Sequence, residues 1–240
     1  MRQFTFLTVG ILIPIIALTI YTRVPAAPIQ VEPVSVASQV NASSNDAEEA
    51  ISGGSMDLTS SDLELGADGS TLQYAAMRFN NIAIPQGASI LNAYVEFEVD
   101  ETGSDPTSVL IKGQATDNAP AFTAANGNIS SRARTNAQVA WNNIPPWTTL
   151  NAKWQTPNLA PIIQEIVSRS GWASGNSIAI ILSGSGRRTA EAYDGEIPAA
   201  PRLVIQYATG DTPTPDPNAK LTPTSPQQTR QHQPQGSAHR

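Results

Sequence analysis

Apolar residues along this chain alternate with polar ones far more often than they follow a helical repeat. The clearest run is Ala93-Tyr94-Val95-Glu96-Phe97-Glu98-Val99-Asp100, apolar at odd positions and polar at even ones. That period predicts a strand with one face buried and one wet. Ile84-Pro85-Gln86-Gly87-Ala88 just before it is a turn signal, because proline fixes φ and glycine supplies a positive one. The same alternation predicts strands near residues 58–65, 74–79, 109–115, 137–141, 190–193 and 203–207. Ile178-Ala179-Ile180-Ile181-Leu182 is apolar throughout. It predicts a strand covered on both faces, under the chain's one helix.

That helix is predicted where the period changes. Leu159, Ile162, Ile163, Ile166 and Val167 fall at i, i+3, i+4, i+7 and i+8, one face of a 3.6-residue repeat. Thr156-Pro157 offers a cap hydroxyl with a first-turn proline, and Ser170-Gly171 a stop. All the tryptophans, Trp141, Trp147, Trp154 and Trp172, surround it, as expected of a helix laid across the open end of a sheet with indoles sealing the seam. Residues 56–208 are therefore expected to be all-β, a jelly-roll-like antiparallel β-sandwich with one short amphipathic helix.

The flanks read differently. Arg2 precedes an apolar stretch at 4–20, followed by Arg23-Val24-Pro25-Ala26-Ala27. Residues 1–27 are thus a signal peptide or a membrane anchor, and either sets the remainder outside the cytoplasm or at the cell surface. Residues 28–55 are Pro, Val, Ser, Ala and Asn with a short acidic patch, Asp46, Glu48 and Glu49, and are expected to be a disordered spacer. Residues 209–240 open with Asp211-Thr212-Pro213-Thr214-Pro215-Asp216-Pro217 and are expected to be a disordered Pro/Thr-rich tail.

Composition narrows the function. Only 14% of residues are charged and the net charge is −6, which argues against nucleic acid or an anionic membrane as partner. Without cysteine there is no thiol catalysis and no thiolate metal site. The histidines, His232 and His239, both lie in the tail, which removes a Ser/His/Asp triad or a histidine zinc site from the domain. A polysaccharide hydrolase or lyase would need a carboxylate pair such as Glu96 with Glu98, or Glu191 with Asp194. The first pair reads as a solvated sheet face, and no catalytic residue is assigned.

The most polar stretch runs from Ser183 to Glu196 and holds Arg187, Arg188, Glu191, Tyr193 and Asp194. Guanidinium groups offer planar donors to sugar hydroxyls or carboxylates, and tyrosine offers a stacking face. The same arginines could instead pair with Glu191 or Asp194 and pin a loop. Trp147, after Pro145-Pro146, is the best candidate for an exposed sugar-stacking platform, whereas Trp141 reads as core and Trp154 and Trp172 as packing residues. Asp100, Glu101 and Asp105, with Asp194 and Glu196, could supply oxygen ligands to a structural calcium or form a simple acidic loop. Arg78 either faces water or is a buried, paired charge. Asn41-Ala42-Ser43 and Asn128-Ile129-Ser130 fit the glycosylation acceptor pattern.

Several segments in order resemble a known family. They are Met77-Arg78-Phe79, then Ile84-Pro85-Gln86-Gly87-Ala88-Ser89-Ile90-Leu91-Asn92-Ala93, Val139-Ala140-Trp141-Asn142-Asn143, Trp154, Gly175-Asn176-Ser177-Ile178-Ala179-Ile180, and Pro201-Arg202-Leu203-Val204-Ile205-Gln206-Tyr207. Together they resemble the secreted domains named after a DNRLRE motif, which are similar to carbohydrate-binding module family 96. The resemblance implies a jelly-roll sandwich, an extracellular setting and a non-catalytic, glycan-associated or adhesive role. The expected partner is an extracellular polysaccharide or cell-surface component, with a possible membrane tether through 4–20. The alternative is a self-associating structural unit of a fibre, sheath or envelope layer.

Overall fold

The computed structural model describes residues 32–210. The apolar segment 4–20 and the tail beyond Gly210 lie outside the described residues. In chain order the strands are β1 (Val34–Gln39), β2 (Asp46–Ala50), β3 (Met56–Asp57), β4 (Asp62–Glu64), β5 (Ala67–Asp68), β6 (Thr71–Phe79), β7 (Ser89–Glu101), β8 (Ser108–Gln114), β9 (Arg134–Trp141) and β10 (Lys153–Gln155). Helix α1 (Ala160–Val167) follows, then β11 (Ile178–Ser185), β12 (Thr189–Glu191) and β13 (Arg202–Ala208). All pairings are antiparallel. One sheet is ordered β1-β13-β7-β12-β4 with β10 also on β7, and the other β3-β2-β6-β11-β8-β9 with β5 on β6. The chain crosses between the sheets at β6–β7–β8 and again at β10–β11–β12, giving the two-layer all-β sandwich that the alternation predicts.

The long strand β7 organises the core. Its odd residues Ala93, Val95, Phe97 and Val99 are fully buried and meet Leu203, Ile205, Met77, Phe79, Ile111 and Ile180 in one cluster. Helix α1 adds Ile162, Ile163, Ile166 and Val167 to that cluster. Burying each such side chain stabilises the fold by about 1.5–3 kcal/mol. The helix sits between the edges of the two sheets and covers both. On the β7 side, the amides of Ile90, Ala93 and Val95 donate to Gln164 Oε1, Asn158 Oδ1 and Thr156 Oγ1 at 2.8, 3.0 and 3.1 Å. On the β9 side, Glu165 accepts from Asn136 and Ala137 at 2.9 and 2.7 Å. Thr156 therefore does not cap the helix as expected. Asn158 Oδ1 accepts the Ala160 amide at 2.9 Å instead, and Thr156 is committed to β7. Gly113 of β8 lies under the helix, where a Cβ would sit 2.8 Å from both Ile162 and Ile166.

Two further sequence expectations fail here. Residues 28–55 are not all spacer, since β1 and β2 are integral strands and folded structure begins at Val34. The acids that suggested solvation are buried, with Asp46, Glu48 and Glu49 exposed by 3, 6 and 1%. Each accepts a backbone amide from a different part of the chain. Asp46 Oδ2 takes Tyr193 N–H at 2.8 Å, Glu48 Oε1 takes Glu64 N–H at 2.6 Å, and Glu49 Oε2 takes those of Ile129 and Ser130 at 2.6 and 2.8 Å. Backbone hydrogen bonds of this kind offset the burial of a carboxyl group.

The second correction concerns β11. It is covered on both faces, but its outer cover is the loop 117–134 rather than the helix. Ala179 and Ile181 pack against Ala119, Phe122 and Ile129 of that loop in a separate cluster. Arg132 holds the loop in shape by donating to the Asn128, Pro120 and Ala121 carbonyls and to the side chains of Gln114 and Asn128.

Candidate functional site

The even residues of β7 that oppose its buried face lie on the outer surface of the six-stranded sheet. Register aligns them with their neighbours. Gln39 of β1 pairs with Arg202 of β13, Arg202 with Glu96, and Glu96 with Gln155 of β10. One step along, Glu98 pairs with Lys153. On the other side, Ala37, Val204 and Tyr94 form a less polar row. Gln39, Glu96, Glu98, Lys153, Arg202 and the segment Pro198–Ala200 enclose a groove of about 160 Å³. Gln39 builds its wall by donating to the Pro198 and Ala200 carbonyls at 3.0 and 2.9 Å.

The groove is electrostatically balanced. Lys153 Nζ lies 3.3 Å from Glu96 and 4.0 Å from Glu98, and Gln155 Nε2 donates to Glu96 at 3.2 Å. Burial works to raise the Glu96 carboxyl, but the hydrogen bonds from Gln155 and Lys153 outweigh it and hold Glu96 below its ordinary value. Both glutamates thus share one ammonium group, an arrangement that presents fixed acceptors and donors on the sheet surface.

The stretch 183–196 is divided by the fold. Arg188 is buried, exposed by only 2%. Its Nε and Nη2 donate to the Pro145 and Ile144 carbonyls at 2.9 and 2.8 Å, and Nη1 to Thr107 Oγ1 and the Arg187 carbonyl at 2.9 and 2.6 Å. It is a structural brace between β12 and the diproline turn and not a ligand contact, because all its donors face inward. Arg187 is half-buried and pairs with Glu101 at 3.4 Å, not with Glu191 or Asp194. Asp194 is exposed and accepts from Ser43 Oγ at 2.8 Å, while the half-buried Tyr193 is fixed through its amide to Asp46.

Trp147 is also a correction. Its side chain is fully buried and stacks on Trp154 at 6.3 Å, so no sugar can reach its face. The turn after Pro146 brings it inward, where its backbone bridges to Gly103 in both directions at 2.8 and 2.9 Å. Trp141 stacks on Phe97 at 6.4 Å in the core, and Trp172 Nε1 donates to the Ile84 carbonyl at 2.9 Å. Among the described residues Arg78 has no carboxylate partner; it donates to the Ala119 carbonyl, Asn45 Oδ1 and Ser177 Oγ.

Of the expected calcium ligands, Asp100 and Glu101 come together, but the third carboxylate beside them is Asp62 of β4, not Asp105. The oxygens of these three groups lie within 4.8 Å of one another. Glu191 belongs to the same acidic edge. Burial first, then the neighbouring Asp100, push its carboxyl up to about 7. A second acidic pair lies between β2 and β4, where burial and then the close approach of Glu64 push the Glu48 carboxyl well above its ordinary value. Gln73 Nε2 bridges the two glutamates at 2.7 and 3.1 Å.

Sequence reasoning passed over Gln39, Tyr94, Lys153, Gln155 and Arg202 as a group. The only signal was the wet period of β7, since the other residues join it through strand order alone. No protein-family model matches the chain, and neither does any curated protein.

Proposed function

We propose that this protein is a non-catalytic extracellular β-sandwich that binds glycan through the outer face of its six-stranded sheet. The observation that carries the reading is the groove walled by Gln39, Glu96, Glu98, Lys153 and Arg202, with the half-buried Tyr94 in the next row of the same face. Planar amide, carboxylate and guanidinium groups in fixed register suit the paired donors and acceptors of sugar hydroxyls, and an aromatic face suits the apolar side of a pyranose ring. The order of segments that resembles the DNRLRE-type domains supports the same reading. The acidic edge of Asp62, Asp100 and Glu101 would hold calcium as a structural ion, since carboxylate oxygens suit a hard cation.

Isothermal titration of the full chain against a panel of neutral and charged polysaccharides tests the proposal. Arg202→Ala and Tyr94→Ala each weaken binding by about tenfold, or 1.4 kcal/mol, and Arg187→Ala leaves it unchanged. Heat from no polysaccharide, or equal binding by all three variants, would overturn it.

A further inference from the structure

Sheet edges carry unpaired backbone groups, and proteins commonly protect them with charge, proline, a bulge or a cover. Most edges of this sandwich are protected. The start of β9 is covered by α1, whose Glu165 accepts the Asn136 and Ala137 amides. β3 and β4 span only two and three residues.

Strand β1 is the edge that has none of these along its whole length, the longest such edge among the described residues. It is six residues long, Val34-Ser35-Val36-Ala37-Ser38-Gln39, with no charge and no proline. It pairs with β13 from Val34↔Tyr207 to Gln39↔Arg202 without a break in register. The Val40 amide donates to the Pro201 carbonyl, so by alternation the even residues of β1 bond to β13. The amides and carbonyls of Ser35, Ala37 and Gln39 then point away from the sheet. Ser35 and Ala37 are exposed, and no hydrogen bond within the described residues occupies their amides.

We propose that β1 is a self-pairing edge, joined antiparallel to β1 of a second copy with Val36 opposite Val36 of that copy. A two-fold axis normal to the sheet maps inner face onto inner face, which requires even residues to oppose even ones. In this register Ser35 and Ala37 of one copy exchange amide–carbonyl bonds with Ala37 and Ser35 of the other, and these are the groups left free by β13. The inward side chains Val34 and Val36 meet Ser38 and Val36 of the second copy, so the core continues across the seam. Val34, now 43% exposed, becomes covered. A strand without charge is complementary to itself, since no like charges oppose each other. Pro33 has no amide, which ends the donor row just before β1. The pairing merges two six-stranded sheets into one and sets two outer faces side by side, which would raise avidity for any repeating partner. It does not rest on the glycan reading.

An edge contact of this size is weak in dilute solution, so the test traps it covalently. The chain has no cysteine, and a single introduced thiol can form only an intermolecular disulfide. Full-length Val36→Cys is oxidised and run on a non-reducing gel beside Leu150→Cys, a control at an exposed position far along the chain. An equimolar mixture of Ser35→Cys and Ala37→Cys serves as a second probe that leaves the packed Val36 intact. The proposal expects a covalent dimer from Val36→Cys and from the mixture, none beyond background from Leu150→Cys, and loss of the dimer when Ala37→Pro is added to Val36→Cys. That proline removes only an outward amide, and an unchanged melting temperature verifies the fold. Dimer yields equal to the Leu150→Cys control, or a dimer that survives Ala37→Pro, would overturn it. So would protection of the Ser35 and Ala37 amides from hydrogen exchange at high dilution, which would mean that another segment of the same chain covers the edge.

Discussion

The buried carboxyl of Asp46 makes the stability of this fold depend on pH in a direction opposite to ordinary acid unfolding. Burial is the main cause that lifts it from 3.8 to about 6; the nearby Asp194 adds to the rise and the Tyr193 amide opposes it. A raised folded value means that the folded chain binds the proton more tightly than the unfolded one. The contribution is therefore fully present below the unfolded value and is lost as pH rises through about 6. Worked through, this group alone makes the fold about 1.4 kcal/mol more stable at pH 5 than at pH 8, and about 3 kcal/mol more stable in full below pH 4. Glu48, Glu64 and the more exposed Glu191 are raised as well and act in the same direction, whereas Glu96 is lowered and acts against them. Urea denaturation of the full chain at pH 5 and pH 8, for wild type and Asp46→Asn, isolates the effect. The asparagine can still accept the Tyr193 amide through its carbonyl oxygen but cannot titrate. Wild type is expected to gain stability on acidification, and the variant to gain about 1.4 kcal/mol less. Parallel pH profiles, or a wild type weaker at pH 5, would refute the reasoning.

Other substitutions test the packing. Arg188→Ala leaves the Ile144 and Pro145 carbonyls without their donor and is expected to cost about 3–5 kcal/mol in urea titrations, whereas Arg187→Ala costs less than about 1 kcal/mol because its one ion pair is largely solvated. Gly113→Ala forces a methyl against Ile162 and Ile166 and is expected to lower stability by about 1–3 kcal/mol. Glu165→Ala bares the Asn136 and Ala137 amides and is expected to cost about 1–3 kcal/mol, with faster hydrogen exchange confined to the start of β9.

The sequence is legible where burial follows a local period. β7, β11 and the apolar face of α1 could be read from a few adjacent residues, because a strand or helix with one dry face writes that face into every second or every third and fourth position. β2 could not. Asp46, Glu48 and Glu49 look solvated until Tyr193, Glu64 and Ile129 supply their amides, and those donors lie 147, 16 and 80 residues away. Arg188 misled for the same reason, since its acceptors are the carbonyls of a turn more than forty residues earlier. Trp147 reads as exposed because prolines precede it, yet the Gly103 bridge turns it inward. The groove depends on β1, β13, β7 and β10 lying side by side, and only strand order brings Gln39, Arg202, Glu96 and Gln155 into one row.

The most direct test of the account is a hydrogen-exchange footprint of the full chain with and without the polysaccharide it retains best. The groove reading predicts slower exchange in β10, in β13 and in residues 94–98 of β7, with the loop 186–196 unchanged. Protection centred on that loop, or no change anywhere across the panel, would contradict it.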